Sequence, residues 1–461
     1  MGNHVLDIFM APKSVAVIGV TRKTGKGSYN PIECMQWFGY EGEIYPVNPF
    51  ADEILGLKCY RDIKEVERPV DLAVIAAPRE RVPGIVEDCA AMGIQGAIVV
   101  PQGFSDADAT GKALQERLSD ISRQNGIRIL GPNTLGVLNA FSGFTSSFMY
   151  LKREKTPVGV ICQSGVFFVG AAVLTGMIGK GIDVANGCDI DFADCLEYFG
   201  DDDETQVIVV HMEGMVGGSR FMDVARRLAL RKPVITYKTA RTRSGAVAAA
   251  SHSGSMAGTY AIYEAAFCQA GLVPASTPEA LTDFTKAFLH LPLMRGKRVG
   301  LITLTGAGGI IAADSLEECG LRVARLSEDT VLGLKELSPD WMPIQNPMDI
   351  WPALMKHGMK HVYELTLRSM LKDPGVDGVI CIAIAPDLPE NEFLDTTGVI
   401  REVAASQQEK PVVAWLYGPN QSAASRTIEQ GGHVLAFPSL PRATEALAAL
   451  YRRHMFLQES V

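Results

Sequence analysis

The chain has 461 residues, 47% of them hydrophobic, and a formal net charge of −9. That length suits two to four domains with buried cores, and the apolar content excludes an intrinsically disordered chain. The acidic balance and the lack of any Lys/Arg block argue against a nucleic-acid or anionic-membrane surface, since both need concentrated positive charge. Nine cysteines are scattered singly without a C-x-x-C pair, as expected of a reducing compartment rather than a disulfide framework or zinc site. The first residues, MGNHVLDIFMAPKSV, do not read as a secretory signal, and no apolar run approaches the ~20 residues of a membrane span. A soluble cytoplasmic protein is expected.

Short apolar, β-branched runs recur along the chain, each followed by a Gly-containing turn and a helical pattern. SVAVIG (14–19), GEIYPVN (42–48), DLAVIAAP (71–78), GAIVVP (96–101) and IRILGPN (127–133) read as buried parallel strands. The rhythm restarts at TPVGVICQSG (156–165), with TQVIVVHMEG (205–214) and KPVITYKTA (232–240) after it. It restarts again at KRVGLITLTGAGG (297–309), followed by DGVICIAIAP (377–386) and KPVVAWLYGP (410–419). Three doubly wound α/β domains are predicted, 1–150, 151–292 and 293–461, with joints near 150–156 and 290–297 where Pro, Gly and charge break the pattern.

The first strand ends at Gly19 and enters VTRKTGKGSYN. Both G-x-G-x-x-G and G-x-x-x-x-G-K-[ST] fail on spacing, which disfavours NAD and the β/γ-phosphates of ATP. A longer loop carrying Arg22, Lys23 and Lys26 suits a bulky, multiply phosphorylated ligand, although an ordinary exposed turn fits the spacing equally well. At CQSGVFFVG a second strand meets a helix, where Ser164 and Gly165 either cap the helix or hold an anion; taken alone, capping is the simpler reading. A similar junction occurs at TLTGAGGIIAAD, where Gly306, Gly308 and Gly309 open the next helix.

The most informative segment is RTRSGAVAAASHSGSMAG (241–258), read as a small-residue loop with His252 near its centre. Its flanks supply no bulk to pack a structural histidine, and imidazole is suited to accept and release a phosphoryl group. Glu213, in the strand-end HMEG, is placed to orient such a ring, while His211, on the same strand face, reads as buried at the strand end. The acidic run Asp201–Glu204 reads as a solvated turn, and no histidine shows metal-ligand spacing, so no metal site is expected.

Read together, these segments resemble the alpha subunit of ADP-forming acetyl-CoA synthetase, in the succinyl-CoA synthetase superfamily of NDP-forming acyl-CoA ligases. The resemblance covers nearly the whole chain. It rests on VAVIG with its Lys-bearing loop, YPVNP, DLAVIAAP, QGF, GPNTLGVLN, CQSG, DFADCLEYFGDDDET, MEG, KPV, SHSGSMAG, GAGGIIAAD and NPMDI, in that order. It implies an N-terminal Rossmann-like CoA-binding domain followed by two flavodoxin-like ligase domains.

It further implies that His252 carries the phosphoryl group, Glu213 orients it, and Ser164, Gly165, Gly308 and Gly309 cradle phosphate. CoA contacts are implied at Gly19, Thr21, Arg22, Lys23, Lys26, Asn48, Pro78, Gln102 and Asn133. ADP/ATP and Mg are expected on an ATP-grasp beta subunit, because no fourth domain follows residue 455, in an α2β2 or similar assembly. The expected reaction joins acyl-CoA, phosphate and ADP to a small carboxylate, CoA and ATP, through an acyl phosphate and a phosphohistidine. Thr24 stands where the family usually has Pro, and Phe50 where a lysine commonly follows VNP; Ala307 interrupts the usual glycines, and Ala185 precedes Asn186 where Gly is usual. A non-catalytic acyl-CoA-binding or regulatory protein is the alternative on the same fold, disfavoured by the retained His252 and Glu213.

Overall fold

The computed structural model describes residues 4–215, 217–253 and 258–460, with backbone only at 250–253. The chain forms two compact units, Met1–Leu281 and Thr282–Val461.

The first unit holds two large sheets, besides a small two-stranded one that pairs Glu53–Ile54 with Leu57–Lys58. Strands β1 (Ser14–Ile18), β2 (Glu43–Val47), β3 (Leu72–Ile75), β4 (Gly96–Val99) and β5 (Arg128–Leu130) form a wholly parallel sheet in the order β2-β1-β3-β4-β5. Its register sets Val17 opposite Pro46 on one side and Val74 on the other. Every residue of β1, β3 and β4 is buried, as their unbroken apolar runs require. Helix α1 (Pro31–Phe38) shows why the chain turns where it does. Asn30 caps it by accepting from the Ile32 and Glu33 amides, Pro31 supplies the preset first turn, and Gly39 ends it in the left-handed region at φ 89°. Helices α2 (Val82–Ala91) and α3 (Ala109–Asn125) bury Val82, Val86, Cys89, Leu118 and Ile121 in one cluster with Ala16, Ala73 and Ala97.

The second sheet contains β6 (Val137–Asn139), β7 (Phe144–Thr145), β8 (Val158–Cys162), β9 (Lys180–Asp183), β10 (Val207–Met212), β11 (Val234–Lys238) and β12 (Val273–Pro274). Their order is β12-β11-β10-β8-β9-β6-β7, parallel from β12 to β9 and closed by the antiparallel hairpin β6–β7. The hairpin precedes the joint expected near 150–156, yet it belongs to this sheet through the pairing of Ile182 with Val137.

The second unit holds a third parallel sheet: β13 (Arg298–Thr303), β14 (Arg322–Val323), β15 (Met348–Asp349), β16 (Gly378–Ile384), β17 (Val412–Tyr417) and β18 (Leu435–Ala436). The order is β14-β13-β16-β17-β18, with β15 paired to β13. Two apolar clusters pack on it, one containing Val379 and Cys381 and the other Ile380 and Ile382, as alternation along β16 dictates.

Two expectations need correction. The segment 241–258 is mostly not a loop: Arg243–Ser253 is helical. Four alanines lie between Gly245 and Ser251, and alanine has the highest intrinsic helix propensity, which outweighs the loop-like look of Gly and Ser. The acidic run 201–204 is not merely solvated, because Asp202 and Glu204 pair with the buried Lys180 ammonium at 2.6 and 2.7 Å, and Asp201 reaches Arg231 at 2.8 Å. A buried lysine needs such partners to offset its lost hydration. Among the described residues no helix is long and apolar enough to cross a membrane.

Candidate functional site

Strand β1 lies between β2 and β3, so connections leave it toward opposite sides and open a crevice at the carboxyl ends. Gly19 sits at that point with φ 81°, and a Cβ there would come within 2.9 Å of the Ala77 backbone. Only glycine permits both the turn and the close approach. The crevice is lined by Gly19, Val47, Pro49 and Ala77, with Arg61 and Arg81 and the carboxylates of Asp62 and Asp88 around it. Arg61 and Arg81 were not picked out from the sequence, since isolated arginines carry no pattern until folding brings them to one cleft.

The loop after Gly19 is held from below. The Glu33 carboxylate accepts from the Gly25 amide at 2.9 and 3.0 Å and from the Ser28 hydroxyl at 3.1 Å. The Asn30 amide group donates to the carbonyls of Thr21 and Lys23 at 3.1 and 3.2 Å. Lys23 and Lys26 are left exposed. Arg22 donates to the Phe50 carbonyl at 3.1 Å, tying the β1 and β2 loops together.

Asn48 donates to the Val20 carbonyl and accepts from the Phe50 amide, both at 2.8 Å, so its side chain shapes the loops. The Thr21 hydroxyl accepts from the Lys23 amide at 3.1 Å. Pro78 follows β3, the exposed Gln102 follows β4, and Asn133 (φ 66°) follows β5 with its amide on the Pro101 carbonyl. All the CoA positions expected from the sequence thus follow the carboxyl ends of one sheet. A glycine that allows backbone approach, with Arg61, Arg81, Lys23 and Lys26 nearby in the loops, fits a phosphate-bearing ligand such as CoA.

The strand ends of the second sheet gather the next group. The Gln163 side-chain oxygen accepts from the amides of Glu213 and Gly214 at 2.8 and 3.1 Å, locking the end of β10 to that of β8. The Met215 amide donates to the Tyr263 hydroxyl at 3.2 Å. Helix α4 (Gly165–Val169) starts at Ser164, whose backbone occupies the cap position while its hydroxyl makes no capping bond. This corrects the simple capping reading. The Gly165 and Val166 amides precede the first bonded one, that of Phe167 on the Ser164 carbonyl at 3.0 Å.

His211 is buried, as expected of a strand end, and stacks on Phe167. Burial and the nearby Lys238 charge pull its pKa down to about 3, so it is neutral. Asp183, at the end of β9, is also buried; it accepts from the Leu135 amide at 2.8 Å, and burial pushes its pKa up to about 7. Ala185 sits at φ 46°, where the usual glycine would be unstrained, and Asn186 donates to Asp106 and Gln115 at 2.8 and 3.0 Å. His252 lies in the last turn of helix α5 (Arg243–Ser253); its side chain and the following 254–257 are outside the described residues.

In the third sheet, helix α6 (Gly306–Glu318) opens at Gly306 with Thr305 at its cap, earlier than Gly308 and Gly309. The Gly309 amide already donates to the Thr305 carbonyl at 3.3 Å, so the amides without an intrahelical acceptor are those of Gly306, Ala307 and Gly308. Gly309 instead permits close packing, since a Cβ there would lie 2.9 Å from Pro347.

A crevice at the switch point of one doubly wound sheet, with glycine-opened helices at the strand ends of two more, is the architecture of NDP-forming acyl-CoA ligases. Residues 13–140 match the family described as CoA binding domain, and 155–288 match the succinyl-CoA ligase like flavodoxin domain. The chain is 34% identical over 457 residues to the alpha subunit of acetate–CoA ligase [ADP-forming] II of Pyrococcus furiosus, covering 97% of each. It is 39% identical over 394 residues to acetate–CoA ligase [ADP-forming] II of Archaeoglobus fulgidus, covering 84% of this chain and 58% of that longer protein. A solved structure of Ca. Korarchaeum cryptofilum dinucleotide forming acetyl-coenzyme A synthetase 1, in complex with phosphate and ADP, superposes with a TM-score of 0.86. Identity there is 32%, with 99% of each chain covered. The chain therefore belongs to the ADP-forming acetate–CoA ligase family and aligns end to end with its alpha subunits.

Proposed function

We propose that this chain is the CoA- and phosphohistidine-bearing subunit of an acyl-CoA ligase. It catalyses acyl-CoA + phosphate + ADP ⇌ carboxylate + CoA + ATP, through an acyl phosphate and phosphorylated His252. The observation that carries this is the end-to-end likeness to an alpha subunit, with SHSGSMAG following the strand-end Glu213 in order. Residues 1–150, 151–292 and 293–461 are read as its three domains, with the hairpin at 137–145 completing the sheet of the second. The first takes CoA at the Gly19 crevice, its phosphates met by Lys23, Lys26, Arg61 and Arg81. Phosphate attacks the acyl carbonyl of the thioester, CoA leaves as its thiol, and the imidazole of His252 then takes the phosphoryl group from the acyl phosphate, releasing the carboxylate. Glu213 holds the ring by accepting its other N–H, and the amides that open α4 meet the phosphate oxygens.

ADP and Mg belong to an ATP-grasp partner in an α2β2 or similar cytoplasmic assembly, and His252 delivers the phosphoryl group there. The test is to label the chain with a radiolabelled acyl phosphate. Phosphate on a histidine nitrogen is acid-labile and base-stable, and His252→Asn is expected to take none. Undiminished labelling of that variant would overturn the assignment.

A further inference from the structure

The segment after β9 crosses from the second sheet to the first. The Val184 amide donates at 2.8 Å to the carbonyl of Cys162, two residues before Ser164. The amides of Asn186, Cys188 and Ile190 then donate to the carbonyls of Pro132, Gly131 and Ile129, at the end of β5, at 3.2, 2.9 and 3.1 Å. The Ser119 hydroxyl, on α3, donates to the Cys188 carbonyl at 2.7 Å. Residues 184–190 are therefore a strap, with one end beside the start of α4 and the other against the first sheet.

The Asn186 side chain spends both amide hydrogens across this junction. They go to the Asp106 carboxylate at 2.8 Å and to the Gln115 side-chain oxygen at 3.0 Å. Asp106 in turn accepts from the Gly103 and Phe104 amides at 2.9 and 3.0 Å, and Gln115 from the Ser105 amide at 3.3 Å. Those three amides belong to QGFS (102–105), the loop after β4 on which Gln102 lies exposed. One side chain at the strand end of the second sheet thus holds both acceptors that shape this loop of the first. Burial raises the Asp106 pKa, but the bonds from Asn186, Gly103 and Phe104 outweigh it and keep the carboxyl below its usual range, so it stays an acceptor.

Ala185 shows that the strap is fixed in place. It is buried at φ 46°, a left-handed conformation unfavourable for a residue with a Cβ. Such strain persists only where the surroundings over-determine it. Here its two neighbours are bonded to different sheets, Val184 to the second and Asn186 to the first.

We propose that Asn186 is a positioning residue for the thioester step: it sets the 102–105 loop, and the acyl-CoA lying against it, where phosphate held at the α4 amides reaches the acyl carbonyl. This deepens the proposed function and rests on its placing of CoA at the first sheet and phosphate at α4. Only the step that joins two separately bound reactants depends on their mutual placement. CoA binding uses the first sheet alone, and phosphorylation of His252 by an acyl phosphate uses the second, so neither needs the Asn186 bond.

The experiment compares the full-length chain with N186A, which removes both donors, and N186D, which sets a second carboxylate against Asp106. Three readouts separate the sites: calorimetric CoA affinity, labelling by radiolabelled acyl phosphates, acetyl phosphate first, and arsenolysis of acyl-CoA thioesters, acetyl-CoA first. In arsenolysis an arsenate oxygen attacks the acyl carbon, the C–S bond breaks and CoA leaves as its thiol. The acyl arsenate then hydrolyses to carboxylate and arsenate, so loss of the thioester absorbance follows the step. Both variants are expected to lower kcat for arsenolysis ~10–100-fold, the cost of misplacing reactants by about 1 Å, with CoA affinity and labelling rate unchanged.

Wild-type arsenolysis in a folded variant would overturn the proposal. So would CoA affinity falling in step with arsenolysis, which would make Asn186 a CoA contact. Loss of fold in both variants, or equal losses in all three readouts, would make it structural and overturn the proposal as well. Wild-type chain that performs arsenolysis but takes no label would defeat the phosphohistidine reading alone, and the other two readouts would still decide the role of Asn186. Wild-type chain that neither binds CoA nor cleaves any thioester would defeat the placing of CoA, and the role of Asn186 with it.

Discussion

The imidazole of His211 lies flat on the ring of Phe167, centroids 3.7 Å apart and planes inclined by 8°. Phe167 belongs to the five-residue helix α4, too short to be stable by itself, so the stack fastens the helix that starts at Ser164 to strand β10. A charged ring would not tolerate this burial, which ties the local packing to pH.

His211 and Asp183 pull stability in opposite directions as pH changes. His211 has a folded pKa of about 3 against 6.5 for the free group, so between those values the unfolded chain binds a proton the folded one refuses. Its contribution falls as pH drops. Asp183 has a folded pKa of about 7 against 3.8, so in that window the folded chain keeps a proton the unfolded one loses, and its contribution falls as pH rises. Each slope is on the order of 1.4 kcal/mol per pH unit, and the two offset each other between about pH 4 and pH 6.5. Removing one partner is expected to uncover the other. D183N should melt at progressively lower temperature toward acid, and H211F at progressively lower temperature toward neutral pH. Thermal melts across that range check this, and parallel profiles for the two variants would refute it.

Glu213 is expected to support the chemistry without building the fold. Its amide and that of Gly214 are held by Gln163 whatever the side chain does, so Glu213→Gln leaves the strand end in place. Loss of an orienting partner for a histidine typically slows its chemistry ~10–100-fold. E213Q should therefore phosphorylate slowly while binding CoA with unchanged affinity. Stopped labelling experiments beside calorimetric CoA titration make the comparison; a CoA defect with normal phosphorylation would move Glu213 to the other site.

Gly19 gives a steric prediction for the first domain. G19A forces a Cβ to within 2.9 Å of the Ala77 backbone at a left-handed φ, a strain of about 1–3 kcal/mol that the loop relieves by moving. CoA affinity should fall at least about tenfold, that is by ~1.4 kcal/mol or more. K26A should weaken CoA less, and its deficit should shrink as salt rises, because Lys26 is exposed. Wild-type CoA binding by G19A would remove the crevice from the CoA site.

The eleven longest-reading strands were legible because buried parallel strands are largely unbroken apolar runs, as SVAVI, LAVI and GVICIAI show. Lys180–Asp183 was not, because KGID carries two charges and a glycine; its burial depends on Asp202 and Glu204 from a distant turn. Helix α5 was hidden by the double meaning of small residues, which suit a mobile loop as well as an alanine-rich helix. Glu213, Ser164 and Gly306 stood out because a strand ends just before each. Gln163 and Arg61 did not, since their roles arise only when separate strand ends are brought side by side.

The last prediction concerns what this polypeptide does by itself. Under the proposed division of labour, the Gly19 crevice, both glycine-opened helices and His252 all lie in this chain, whereas the nucleotide step belongs to the partner. The loop after β1 lacks the P-loop spacing that cradles the β/γ-phosphates of ATP. Purified chain given an acyl phosphate should accumulate acid-labile phosphate on His252, and adding ADP alone should leave that phosphate in place. Adding the partner subunit should discharge it as ATP. Measuring bound label and ATP in the same reaction, with and without partner, checks both halves. ATP formed by demonstrably partner-free chain would refute the division, because the nucleotide site would then lie within this polypeptide.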